Sequence, residues 1–211
     1  PWAVARTATI TVFVFTAFMT IATFLHIENM HLDTGPASAR IAAWLWVAVY
    51  VVVTPLLAAL IVVQMRSPGS DPPPTSPLPA GLRIALAVLG VGMLAIGIAV
   101  FVAPTTMDGV WPWAITPLAG RALAAWIIAI GWAGLQVGYE NDLRRVRPAA
   151  ATFAVLGVLW FIGALRGGSD MRWERPSAWV YLAFTVIAAA LGAWGWSLAA
   201  RVEQEPVLPL T

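Results

Sequence analysis

Both histidines of this chain lie in the ten-residue stretch FLHIENMHLD, residues 24–33. The stretch brings imidazole, thioether and carboxylate groups close together in sequence, at His26, Glu28, Met30, His31 and Asp33. Imidazole and carboxylate groups bind zinc, and a histidine together with a methionine can bind haem iron. These residue types make the stretch a candidate metal, haem or small-ligand site.

The spacing limits how these side chains can act together. His26 and His31 lie about 140° apart around a helix, so they cannot hold one ion unless the helix has ended. If the helix continues, His26, Met30 and Asp33 share one face, and Glu28 pairs with His31 on another. The predicted metal ligands are therefore His26, His31 and Glu28, completed by ligands from another loop. A haem would need His–Met ligation or a ligand from a partner subunit.

The same stretch also fits the polar rim at which a membrane helix meets water, an interpretation that requires no ligand. A proton-transfer or small-ligand role for the same side chains is a third interpretation. The sequence leaves all three open.

Two other stretches have a similar order of residues, GPASARIAAW (35–44) and TPLAGRALAAW (116–126). In each, a proline is followed four residues later by an arginine, Arg40 or Arg121. The likeness indicates either a weak repeat of helical hairpins or convergence of helices that leave the same interface. Both arginines lie one turn inside a helix start, where the helix dipole disfavours a cation, so each needs a carboxylate or an anionic headgroup. Arginine–carboxylate pairs are expected to hold the outer loops together.

The segment WPWAITPL (111–118) contains two tryptophans and two prolines. Thr116 and Pro117 predict a helix N-cap and the first helical residue. Trp111 and Trp113 either anchor the chain at the headgroup level or form an aromatic lid over a ligand pocket. The predicted ligand-binding residues are His26, Met30, Asp33, Arg40, Trp111, Trp113 and Arg121.

The composition indicates a membrane protein. Of 211 residues, 60% are hydrophobic and 10% are charged, and the mean hydropathy is +0.82; soluble domains carry about 25% charged residues. Six apolar windows approach or exceed the roughly 20 residues that cross a bilayer core: 7–27, 41–64, 83–103, 119–139, 149–165 and 178–200. The predicted fold is all-α, an integral membrane bundle of six transmembrane helices in three helical hairpins, forming a single domain over residues 1–211.

Hydroxyl and small residues recur on the faces of three predicted helices. The threonines of the first helix predict a polar seam whose hydroxyls bond to the backbone or to a neighbouring helix rather than line an ion path: Thr9, Thr16, Thr20 and Thr23. Small residues on the fourth and sixth helices predict close packing against neighbours: Gly131, Gly134 and Gly138, and Ala188, Gly192 and Gly195.

Prolines and arginines predict the connections and the topology. Residues 66–81 contain six prolines and are expected to form an extended cytoplasmic linker, Pro148 is expected to open the fifth helix, and residues 202–211 form a loose tail. Six helices put both termini on one side, which then carries seven of the twelve arginines. Because arginine excess marks the cytoplasmic face, both termini are predicted to be cytoplasmic, in a bacterial inner membrane.

Several chemistries are excluded by residue types. The chain has no cysteine and no lysine, which excludes thiolate catalysis, disulfide exchange and Schiff-base formation. Signatures of intramembrane proteases and phosphate-cradling loops are missing from the sequence. Ionisable residues are nearly absent from the predicted spans, which disfavours proton-coupled transport. A net charge of +2 gives no reason to expect nucleic-acid binding.

The chain resembles a group of uncharacterised small polytopic membrane proteins of actinobacteria and other high-GC bacteria. The features that carry the resemblance are FLHIENMHLD, an Ala/Trp/Tyr-containing second span and WPWAITPLAGR. The resemblance covers most of the chain and implies no activity. We expect a non-enzymatic accessory or scaffold subunit that acts through protein partners or lipids. The alternatives are a small-ligand binding protein or transporter with its site at the outer mouth, and a redox subunit with haem or metal at His26 or His31. Expected partners are bound lipids and other membrane subunits or a second copy.

Overall fold

The computed structural model of the chain describes residues 2–67 and 73–204. Every regular element in this part is helical, which confirms the predicted all-α fold. Seven helices occur there: α1 (Trp2–Leu25), α2 (Ala37–Arg66), α3 (Ala80–Val102), the short α4 (Pro104–Asp108), α5 (Pro117–Glu140), α6 (Leu143–Arg166) and α7 (Pro176–Gln204). All except α4 are long and apolar enough to cross a membrane, so the chain is a multi-pass membrane protein.

The first helix ends at Leu25 rather than at residue 27, which changes the geometry of the histidine-containing stretch. The His26 N–H bonds to the Thr23 carbonyl at 3.2 Å, and a 3₁₀ turn then covers Ile27–Met30. His31 follows in the left-handed region, with φ of 51°. Because the α-helix has ended, the shared face of His26, Met30 and Asp33 that a continuing helix would give does not form.

The fifth long helix, α6, begins at Leu143 rather than at 149, so Pro148 lies inside it. The Asp142 side chain accepts a hydrogen bond from the Arg144 N–H at 3.1 Å and caps the helix. Leu143 and Val146 are buried in the apolar cluster of this region, which stabilises the added turn. Pro148 lies close to the helix start and removes a single backbone donor, so the helix tolerates it.

The predicted linker and tail extend beyond the described residues. In the segment 66–81, residues 68–72 lie outside the described part, and residues 73–79 form no regular element. The tail was expected to be loose from residue 202, but α7 continues to Gln204. Residues 205–211 and Pro1 also lie outside the described part.

The described residues form two compact units. The first comprises those within Pro1–Asp71, Leu89–Met107 and Ile115–Leu135, and the second those within Pro72–Val88, Asp108–Ala114 and Gln136–Thr211. The single domain over 1–211 stays a prediction.

In the first unit, the threonine hydroxyls of α1 bond to the backbone and to α2. Thr20 Oγ1 donates to the Thr16 carbonyl at 2.7 Å and lies 2.9 Å from Thr54 Oγ1 of α2. The indole N–H of Trp46 donates to Thr23 Oγ1 at 3.1 Å. These bonds confirm the predicted role of the seam, because the hydroxyls are satisfied by backbone and by the neighbouring helix.

Glycines permit close approach of α3 and α5 in the same unit. A Cβ at Gly90 would lie 2.9 Å from the carbonyl oxygen of Gly131, and a Cβ at Gly131 would lie equally close to that of Gly90. Close packing at the predicted glycine row of α5 is therefore confirmed for Gly131. It does not extend to Gly138, where an added Cβ would meet no neighbouring atom within 4 Å.

In the second unit, α6 and α7 pack backbone to backbone. A Cβ at Gly157 would collide with the backbone of Ala189, and one at Gly192 with the backbone of Ala154. Ala188 is 3% exposed, and Gly192 and Gly195 of the same row are buried. The predicted small-residue packing face of the last helix is confirmed.

Gly157→Ala is expected to destabilise the protein by about 1–3 kcal/mol, because the added methyl group forces α6 away from α7. Gly163→Ala on the same helix is the control, since its methyl group meets no neighbouring atom within 4 Å. Thermal unfolding of both variants in detergent, followed by circular dichroism, should give a lower Tm for the first alone. Equal Tm values would contradict the packing described.

Candidate functional site

Two of the predicted ligand-binding residues meet in the first unit. Nη1 of Arg121 lies 2.7 Å from Nε2 of His26. A guanidinium group only donates hydrogen bonds, so Nε2 accepts, and the neutral ring carries its proton on Nδ1. The side-chain nitrogen of Asn29 stands 3.4 Å from Nδ1. Since Nδ1 carries the proton, a hydrogen bond forms there when the Asn29 amide turns its oxygen toward the ring.

The start of α5 positions Arg121. Thr116 caps the helix by accepting the Ala119 N–H on its hydroxyl at 3.2 Å, and Pro117 is the first helical residue, as predicted. A Cβ at Gly120 would lie 3.0 Å from Cβ of Pro104, so the glycine lets the first turn approach the start of α4 closely. Arg121 follows directly and extends from this fixed turn.

Arg121 is half-buried, and its guanidinium contacts a neutral group, the imidazole of His26. Among residues 2–67 and 73–204, no carboxylate lies within ion-pairing distance of it, and its buried Nε has no hydrogen-bond partner. Burial, and then the guanidinium of Arg121, lower the pKa of His26 below 6.5. The unfolded chain therefore binds a proton at His26 more readily, and the contribution of this residue to stability is lost as pH falls below about 6.5.

The other polar residues of the stretch 24–33 do not join this contact. Glu28, His31 and Asp33 are exposed and Met30 is half-buried. Nδ1 of His31 lies 2.8 Å from the backbone carbonyl of Asn29 and donates to it.

The structure does not assemble the predicted metal ligands His26, His31 and Glu28. Within the described residues, no three His, Asp or Glu side chains come close enough to hold a metal ion. The lone pair of His26 Nε2 is also occupied, because it accepts from Arg121. A metal or haem at this nitrogen would first have to displace the arginine.

Arg40 and Arg121 have different environments despite their similar sequences. Arg40 is exposed, and its helix begins after Pro36 without a side-chain cap. The start of α5 has both the cap and the histidine contact. The likeness of the two stretches therefore does not extend to their contacts.

Trp111 and Trp113 belong to the second unit. Their rings meet edge to face with centroids 5.5 Å apart, and the ring of Trp113 also meets that of Tyr181 at 5.0 Å. The buried indole N–H of Trp111 has no hydrogen-bond partner among the described residues. The tryptophans are packed against protein, which fits an anchor as well as a lid.

Two arginines hold the segment that contains these tryptophans. Arg172 pairs with Asp108 at 3.2 Å and donates to its carbonyl at 2.7 Å. Arg175 donates to the carbonyls of Asp108 and Trp111 at 2.7 Å and 3.0 Å. The prediction that an arginine–carboxylate pair holds these loops is confirmed for Arg172.

A buried charge cluster between α5 and α6 was missed at the level of the sequence. Arg145 lies 3.3 Å from Glu140 and 3.1 Å from Asp142, and both carboxylate side chains are nearly inaccessible. The segment YENDLRR (139–145) indicates such a cluster, because it places acids three and five positions before an arginine.

Comparison of the chain with protein-family models, curated proteins and solved structures finds no match. The function must therefore be inferred from the residues and contacts of this chain.

Arg121→Gln is expected to raise the pKa of His26 toward 6.5, because the variant removes a neighbouring positive charge while burial remains. The pKa can be measured by NMR titration in a His31→Ala background, which leaves a single histidine. Arg40→Gln is the matched control and should leave the pKa unchanged. An unchanged pKa in the Arg121 variant would contradict the described contact.

Proposed function

We propose that this chain is a non-enzymatic integral membrane protein, an accessory or scaffold subunit that acts through protein partners or lipids. The observation that carries the proposal is the environment of α2. This helix has 30 residues, and none of them is buried. It packs against α1 and leaves the rest of its circumference apolar and uncovered.

The two sides of α2 differ in a regular way. Its half-buried side includes Tyr50, whose ring meets that of Phe15, and Thr54, which contacts Thr20. The opposite side carries large exposed aliphatic residues at helical spacing: Leu45, Val52, Leu56 and Val63. Helices associate in membranes through such lateral contacts, by van der Waals packing with a partner or with lipid chains.

The charged contacts support a structural role. Arg145 joins Glu140 and Asp142 at the α5–α6 junction, and Arg172 joins Asp108. These carboxylates hold loops and helix ends.

The location and partners follow from the same proposal. The arginine distribution supports a bacterial inner membrane with both termini in the cytoplasm. The partners are membrane lipids and other membrane subunits or a second copy of the chain, and the small net charge gives no support for nucleic acid.

The second candidate function is binding or transport of a small ligand, and the Arg121–His26 contact favours it. Predicted ligand-binding residues from two separate stretches meet there at 2.7 Å. A redox role with haem or metal at His26 or His31 has less support, because Arg121 already occupies Nε2 of His26.

Val52→Cys is expected to cross-link to a second polypeptide in native membranes when the cysteine carries a benzophenone. The chain has no cysteine of its own, so the reagent attaches at the introduced residue alone. Val53→Cys, on the half-buried side of α2, is the control and should give much less product. The product is identified by immunoblotting and mass spectrometry against the 22.5 kDa chain. Lipid adducts alone at both positions would contradict the partner proposal.

A further inference from the structure

The guanidinium of Arg121 has one edge free for a ligand. His26 uses Nη1, which leaves the edge formed by Nε–H and Nη2–H. These two N–H groups point in parallel and match two oxygens of a phosphate or carboxylate. Nε is shielded from water and lacks a partner, which costs free energy until an acceptor arrives. Arg121 as a whole is partly exposed, which gives a ligand at the surface access to this side chain.

The charge of Arg121 has no counter-ion among the described residues. Arg145 contacts two carboxylates and Arg172 contacts one, whereas Arg121 contacts a neutral imidazole. Arg121 also lies close to the positive end of the α5 dipole, which disfavours a cation. An anion from outside the described chain would supply the missing charge.

The neutral state of His26 is suited to this arrangement. A carboxylate at position 26 would orient the guanidinium equally well, but it would neutralise the charge that attracts an anion. A neutral acceptor fixes the direction of the free edge and leaves the positive charge available. His26 is therefore a positioning residue for Arg121.

We propose that Arg121, oriented by His26, binds a phosphate group of net negative charge, as presented by the headgroup of an anionic phospholipid. The start of a membrane-spanning helix lies at the depth of the headgroups, where such phosphates are abundant. The inference rests on the proposed function, in which the protein acts through lipids. A free phosphate has the same chemistry, and the experiment separates the two sources.

The test begins with the full chain in phosphatidylcholine vesicles that contain a minor fraction of phosphatidylglycerol. Native mass spectrometry after gentle extraction counts the phosphatidylglycerol bound to each chain. Arg121→Gln should reduce this binding about tenfold, as expected for loss of charge-assisted hydrogen bonds. Arg66→Gln should leave it unchanged, because Arg66 is exposed and lies in the last turn of α2, where the helix dipole already favours a cation.

A second pair of variants keeps Arg121 in place, so the test does not depend on the folding of one variant. His26→Glu gives Arg121 an internal counter-ion and should abolish selective binding of phosphatidylglycerol. His26→Gln retains a neutral acceptor and should bind it nearly as well as the wild type. Equal binding by both variants would overturn the proposal.

Binding of free phosphate is tested by adding inorganic phosphate to the protein in vesicles of phosphatidylcholine alone. The readout is the NMR resonance of the His26 ring, in a His31→Ala background that leaves a single histidine. A phosphate-dependent shift that Arg121→Gln abolishes supports the phosphate site. If phosphatidylglycerol also fails to bind, this result overturns the lipid as the source. Wild type and Arg121→Gln that respond equally to both probes would overturn the site. Cross-linking at position 52 reports the protein partner separately, so loss of the site and loss of the proposed function give different results.

Discussion

A polar group that is removed from water, by a bilayer or by burial in the protein, must make its hydrogen bonds within the protein. The contacts of this chain follow from that constraint. Threonine hydroxyls of α1 bond to its own carbonyls and to α2, and Arg145 gathers the buried acids between α5 and α6. Arg172 and Arg175 bind the carbonyls of an irregular segment. The buried Nε of Arg121 departs from this pattern, and the candidate site depends on it.

The sequence predicted the six long helices because apolar length alone distinguishes a membrane span. The sequence was less reliable in predicting where helices begin and end, because single contacts determine those positions. Pro148 suggested a helix start, but the cap by Asp142 and the burial of Leu143 moved that start upstream. The first span was predicted to reach residue 27, but the backbone tightens at His26 into a 3₁₀ turn instead.

The sequence predicted that His26 and Arg121 belong to the candidate site, but it did not predict that they contact each other. Arg121 was predicted because a cation is disfavoured close to a helix start. His26 was predicted because imidazole groups bind metals and haem iron. The two lie 95 residues apart, and nothing in their local sequences indicates that they meet. Arg40 occupies the same position in a similar stretch yet remains exposed, because its helix lacks both the cap and a facing histidine. Contacts between distant segments depend on the tertiary fold, which local patterns do not contain.

The packing of α6 on α7 also has a mechanical consequence. Gly157 and Gly192 each face backbone of the opposite helix, so sliding by one residue in either direction would drive a side chain into a main chain. Shear between these helices is thereby blocked, whereas shear is a common way for packed helices to change conformation. A conformational change of this region is therefore expected to move α6 and α7 together.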